Sequence, residues 1–168
     1  MKKIALVLTL AMLLGMAVAN AEITRGKDGF TEYITIASDS YNEKAIITQV
    51  NLQKIITPET PQYELLLAGY GHKDVRNFIL SNSLIEMRVD DLPVYKLPVE
   101  NYSLQPVPGS YGRVVSKGQF ALPGKSIVEI KNSKRIAFRV TMEDGTRYVY
   151  VLPDAVLAEW KQVIALEK

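Results

Sequence analysis

The side chains of this sequence best suited to chemistry are His72, the adjacent pair Asp90 and Asp91, and the set Arg135, Arg139, Tyr148 and Tyr150. His72 is the sole histidine and stands in Gly71-His72-Lys73-Asp74. One histidine cannot furnish the multi-histidine sets of common zinc sites, and a serine-histidine-acid triad would need the fold to bring a serine to it. Neither G-x-S-x-G nor S-x-x-K occurs, so two local signatures of serine hydrolases are missing. Between glycine and lysine, His72 reads as an exposed loop residue. Asp90 and Asp91 could act as an acid and a base. Adjacent extended residues point to opposite faces, however, and turn aspartates usually bond the nearby backbone. No D-x-[DN]-x-[DN]-G calcium loop and no lysine-bearing phosphate loop is present, and there is no cysteine. No cofactor and no metal are therefore expected.

The third group depends on a register. Arg135 to Met142 alternates apolar and polar residues, Asp144-Gly145 forms a preferred two-residue turn, and Thr146 to Leu152 returns. A two-residue loop sets Glu143 opposite Thr146; one face then pairs Val140 with Val149 and Phe138 with Val151 and is apolar. The other face then pairs Thr141 with Tyr148 and Arg139 with Tyr150. Arg135, Arg139, Tyr148 and Tyr150 would together offer guanidinium donors and aromatic surface to an anion, a glycan or a peptide. The plainer reading of the same four is an ordinary cross-strand pairing that keeps a solvent-facing sheet soluble.

The elements that must position these residues are legible to different degrees. Phe30 to Ala37, Ala45 to Gln53 and Tyr63 to Tyr70 alternate as strands, separated by a turn at Asp39 to Asn42 and by the prolines 58 and 61. Gly69 to Ser83 reads as a polar loop. Leu84 to Val89 and Val94 to Leu97 read as a hairpin around Asp90 to Pro93. Pro98 to Gly118 reads as a long loop, within which Asn101-Tyr102-Ser103 matches a glycosylation acceptor. A short helix is expected near 126–131. A longer one over 154–166 carries Val156, Leu157, Trp160, Val163 and Ile164 as one apolar stripe. Aromatic-x-Leu-Pro occurs at Tyr95, Phe120 and Tyr150, and the last two precede these helices. Leucine ends a strand and proline suits the first turn of a helix, so the motif predicts a strand-to-helix corner, with a degenerate repeat as a second explanation.

Residues 1–21 read as a cleaved secretory signal peptide: Lys2 and Lys3, an uncharged run from Ile4 to Val18, then Ala19-Asn20-Ala21. The run falls short of the roughly 20 residues of a spanning helix. Lys and Arg number 20 against 18 acids, and Lys2 and Lys3 account for the whole excess. A balanced chain from Glu22 onward has little long-range attraction for nucleic acid or an anionic membrane.

The expectation is a single α+β domain over 22–168: a mainly antiparallel sheet, a short helix, and an amphipathic C-terminal helix packed on one face. Its expected role is that of an exported, periplasmic or secreted, non-enzymatic binding module for a protein, peptide or glycan, with no nucleic acid and no stable membrane anchor. A small hydrolase-like enzyme using Asp90, Asp91 or His72 is one alternative. A structural or assembly component of the envelope is another.

Overall fold

The structure is a computed structural model that describes residues 22–27, 32–37, 46–57, 60–79 and 84–166, with residues 22–27 and 32–37 described as backbone strands. The expected signal peptide and the expected turn at Asp39 to Asn42 lie outside the described residues. In chain order the elements are β1 (Glu22–Lys27), β2 (Glu32–Ala37), β3 (Ile47–Ile56), β4 (Gln62–His72), β5 (Leu84–Val89), β6 (Tyr95–Pro98), β7 (Asn101–Pro106), β8 (Arg113–Ala121), α1 (Gly124–Asn132), β9 (Ile136–Thr141), β10 (Arg147–Val151) and α2 (Asp154–Ala165). The expected α+β class with mainly antiparallel pairing holds. A large sheet has the order β1-β2-β3-β4-β8-β7, a small sheet has the order β10-β9-β5-β6, and every strand pairing is antiparallel.

Period-two alternation explains how two sheets share one core. Val50 and Leu52 of β3, Leu65 and Leu67 of β4, and Val114 and Phe120 of β8 are buried; so are Ile85, Met87 and Val89 of β5 and Ile136, Phe138 and Val140 of β9. These residues, apart from Val114, join Ile127 and Ile130 of α1 and Val156, Leu157, Trp160 and Val163 of α2 in one hydrophobic cluster. The Trp160 and Phe138 rings meet at 6.1 Å, tilted by 57°, so the apolar stripe of α2 packs on the sheet as its periodicity requires. At Gly118 a Cβ would stand 2.8 Å from the Phe120 ring, which is why β8 carries glycine there.

The motif corners recur in detail. Pro123 and Pro153 precede the two helices with φ −59° and ψ 138° and 145°. The buried leucine before each still donates to its neighbouring strand, Leu122 to the Tyr63 carbonyl at 2.8 Å and Leu152 to the Ile136 carbonyl at 2.9 Å. Residue by residue, the exposure classes of 121–133 and 151–163 coincide except at Lys131 and Lys161. Proline ends the ladder one residue after its last useful bond and sets the helical φ. The first copy of the motif, Tyr95 to Pro98, instead leads into β7.

Three expectations are corrected. Pro98 to Gly118 is not a long loop: it contains β7 and most of β8, and the true connection is Val107 to Gly112, with Gly109 and Gly112 at φ +73° and +69°. Its edge strand β7 was hidden because Asn101, Leu104, Gln105 and Pro106 are all exposed, leaving no burial period to read. Gly69 to His72 belongs to β4. Finally, the β9–β10 register differs by one residue, pairing Tyr148 with Val140, Val149 with Arg139 and Tyr150 with Phe138. The loop has three residues, Glu143-Asp144-Gly145, closed by Met142 N–H to the Thr146 carbonyl at 2.8 Å and with Gly145 at φ +83°. The segment 73–79 enforces this length. The amides of Glu143 and Asp144 donate to the carbonyls of Phe78 and Arg76, Ile79 bridges to Met142, and Arg76 pairs with Glu143.

Candidate functional site

A one-residue change of register turns β10 over. Arg139 and Ala137 face outward across from Val149 and Val151, whereas Tyr148 and Tyr150 sit half-buried against the core beside Val140 and Phe138. Arg135 and Arg139 are thus on the solvent side, and the two expected tyrosines are on the other. What stands beside the arginines is different: Glu86 and Arg88 of β5, and the exposed valines 94, 149 and 151. Glu86, Arg88, Val94, Arg139 and Val149 line a shallow cleft of about 660 Å³ on the outer face of the small sheet, rimmed by Asp90, Asp91, Lys134 and Arg135, with Val151 just outside it.

One cross-strand row runs Lys96, Glu86, Arg139, Val149, and the next runs Arg88, Ala137, Val151. Arg139 Nη1 donates to Glu86 Oε2 at 2.6 Å, an exposed pair worth under about 1 kcal/mol. Among the described residues, no carboxylate pairs with Arg88, Lys134 or Arg135. The face therefore carries an apolar centre ringed by four cations, Arg88, Lys134, Arg135 and Arg139, and three carboxylates, Glu86, Asp90 and Asp91, with only Arg139 in a direct ion pair among the described residues. At its side lies β10, an edge strand of the small sheet among the described residues. The bonds of Met142 to Thr146 and of Leu152 to Ile136 fix the ladder phase, so the peptide groups of Arg147, Val149 and Val151 point away from β9.

Asp90 and Asp91 line this cleft, with different duties. Asp90 holds a left-handed φ of 47°, donates its N–H to the Arg135 carbonyl at 2.9 Å, and accepts the amides of Lys134 at 2.9 Å and Arg135 at 2.8 Å on Oδ1. That carboxylate positions the basic corner and is already committed to backbone donors. Asp91 is exposed. His72 closes β4 on the large sheet. The Asp74 amide donates to Nδ1 at 3.3 Å, so Nε2 carries the proton toward the Tyr111 carbonyl at 3.1 Å. Its ring fills the space beside Gly112, where a Cβ would come within 2.3 Å. Of the four main cavities among the described residues, only the small-sheet cleft is lined by Asp90 and Asp91, and none is lined by His72.

No protein-family model matches the chain, and no curated protein sequence does. A solved structure, invasion associated protein B from Bartonella henselae, superposes with a TM-score of 0.50 over 84% of this chain and 88% of that chain, at 9% identity. The likeness is one of fold. It places the two-sheet arrangement among known structures and leaves the site to be read from its own residues.

Arg88, Val149 and Val151 were missed by reasoning from sequence. Arg88 had a signal, because L-I-E-M-R-V alternates and puts Glu86 and Arg88 on the outer side. The valines needed the loop length.

Proposed function

We propose that the chain is an exported, non-enzymatic binding module that docks an extended, acidic segment of a protein partner on the outer face of the small sheet. The observation that carries this reading is the set of cations without carboxylate partners, Arg88, Lys134 and Arg135, around the exposed Val94, Val149 and Val151. Apolar contact supplies area there, and guanidinium groups favour carboxylates through paired donors. The outward peptide groups of β10 add a backbone edge on which an extended segment can pair. The reading of residues 1–21 as a signal peptide supports export. The enzymatic alternative draws no support from the commitment of the Asp90 carboxylate to two amides or from the separation of His72 from both aspartates.

The test is fluorescence anisotropy with a labelled (Glu-Val)₄ peptide. Arg135→Glu combined with Arg139→Glu should weaken binding by at least about 100-fold, as expected when two attractive charges become repulsive. Arg88→Ala should weaken it by about 5- to 10-fold. Peptide affinity unchanged in the double variant would remove this face from the account.

A further inference from the structure

The outer face of the large sheet has a chemistry quite unlike that of the small one. Two successive cross-strand rows read Asn51, Leu66, Gln119, Asn101 and Gln49, Ala68, Lys117, Ser103. β4 thus lays down a low apolar floor, Leu66 and Ala68, between polar banks on β3 and β8. Those banks stand about 10 Å apart, twice the strand spacing of ~4.8 Å. They enclose a cavity of about 410 Å³. A second cavity of about 250 Å³ shares Gln49, Ala68 and Lys117 and continues along β4 to the ring of Tyr70, which Arg113 flanks at 5.7 Å. Together they reach the range of about 300–1,000 Å³ of small-ligand sites.

We infer that this trough is a binding site for a neutral oligosaccharide. Gln49, Asn51, Asn101 and Gln119 are uncharged carboxamides, each with both a donor and an acceptor. Such groups match the hydroxyls of a polyol, which also donate and accept; an anion could use only the donors and would face the amide oxygens. Lys117 and Glu64 offset one another beside the trough, Arg113 stands over Tyr70 at its far end, and Glu64 accepts from Gln119, which in turn accepts from Asn101 at 3.1 Å. That chain orients the β8 bank, while the side chains of Gln49 and Ser103 have no partner among the described residues. The floor of Leu66 and Ala68 suits the C–H face of a sugar ring, and Tyr70 gives an aromatic surface at the end of the trough.

Saturation-transfer NMR on the full chain, with cellotriose, maltotriose and chitotriose as probes, tests this assignment. Transfer to at least one trisaccharide is expected. Gln49→Ala and Ser103→Ala should each weaken that binding by about 5- to 10-fold, the factor one hydrogen bond carries, with thermal midpoints near that of the parent. Val128→Ala, on the exposed side of α1, should leave it unchanged. Absence of transfer to all three probes, binding that survives both trough substitutions, or displacement of the sugar by the (Glu-Val)₄ peptide would overturn it.

Discussion

Three residues carry their physics in measurable form. Asp90 holds a left-handed backbone and satisfies two amides, so Asp90→Ala should lower stability by about 1–3 kcal/mol, whereas Asp90→Asn, which tolerates that φ and keeps one acceptor, should lose less; urea denaturation separates the two. Trp160 is fully buried, and its indole N–H has no hydrogen-bond partner among the described residues. Trp160→Ala should therefore cost about 3–5 kcal/mol, but Trp160→Phe only about 1–2, since the smaller ring sheds the unpaired donor along with some volume. Tyr95 donates to Glu129 at 2.6 Å, and burial together with that carboxylate pushes its phenol up to about 12. A phenol with a raised folded pKa binds its proton more tightly in the native state. Its contribution is complete below pH 10 and is lost as pH rises from 10 to about 12. Burial raises Tyr63 and Tyr102 as well, so the alkaline loss has several sources. Tyr95→Phe should flatten the stability profile between pH 10 and 12, and an unchanged profile would contradict the assignment.

At the level of elements, the β9–β10 hairpin decides what the outer face displays. Gly145 at φ +83° closes its three-residue loop, so Gly145→Val should destabilise by about 1–3 kcal/mol in thermal or urea unfolding. The same hairpin marks the limit of what could be read from sequence. α2 was legible because Val156, Leu157, Trp160 and Val163 repeat at the helical period, and β9 because Ile136, Phe138 and Val140 alternate. The register was not legible. Asp-Gly fits both a two-residue loop and the end of a three-residue loop, and placing valines inward looked better for the core. The choice was made by distant partners, the carbonyls of Arg76 and Phe78, whose bonds require Glu143 and Asp144 to lie in the loop. Arginines 135 and 139 kept their place because β9 did not turn over; Tyr148 and Tyr150 moved inward because β10 did. β7 escaped notice for the opposite reason, being an exposed edge with nothing to alternate.

For the whole molecule, two sheets that give their inner faces to one core leave two outer faces for other work. The small sheet presents cations around valines, and the large sheet presents carboxamides around a low floor. Affinity at the first should fall steeply with salt, because exposed charges are screened over about 10 Å at 0.1 M; affinity at the second should hardly change between 50 mM and 500 mM NaCl. A titration of each probe at both salt concentrations checks this contrast. The most direct measurement is amide chemical-shift mapping of the (Glu-Val)₄ peptide on the isotope-labelled chain. Shifts should concentrate at Arg88, Ala137, Arg139, Val149 and Val151. Shifts clustered at Leu66, Ala68 and Lys117 instead, or no shifts at millimolar peptide, would contradict the docking face.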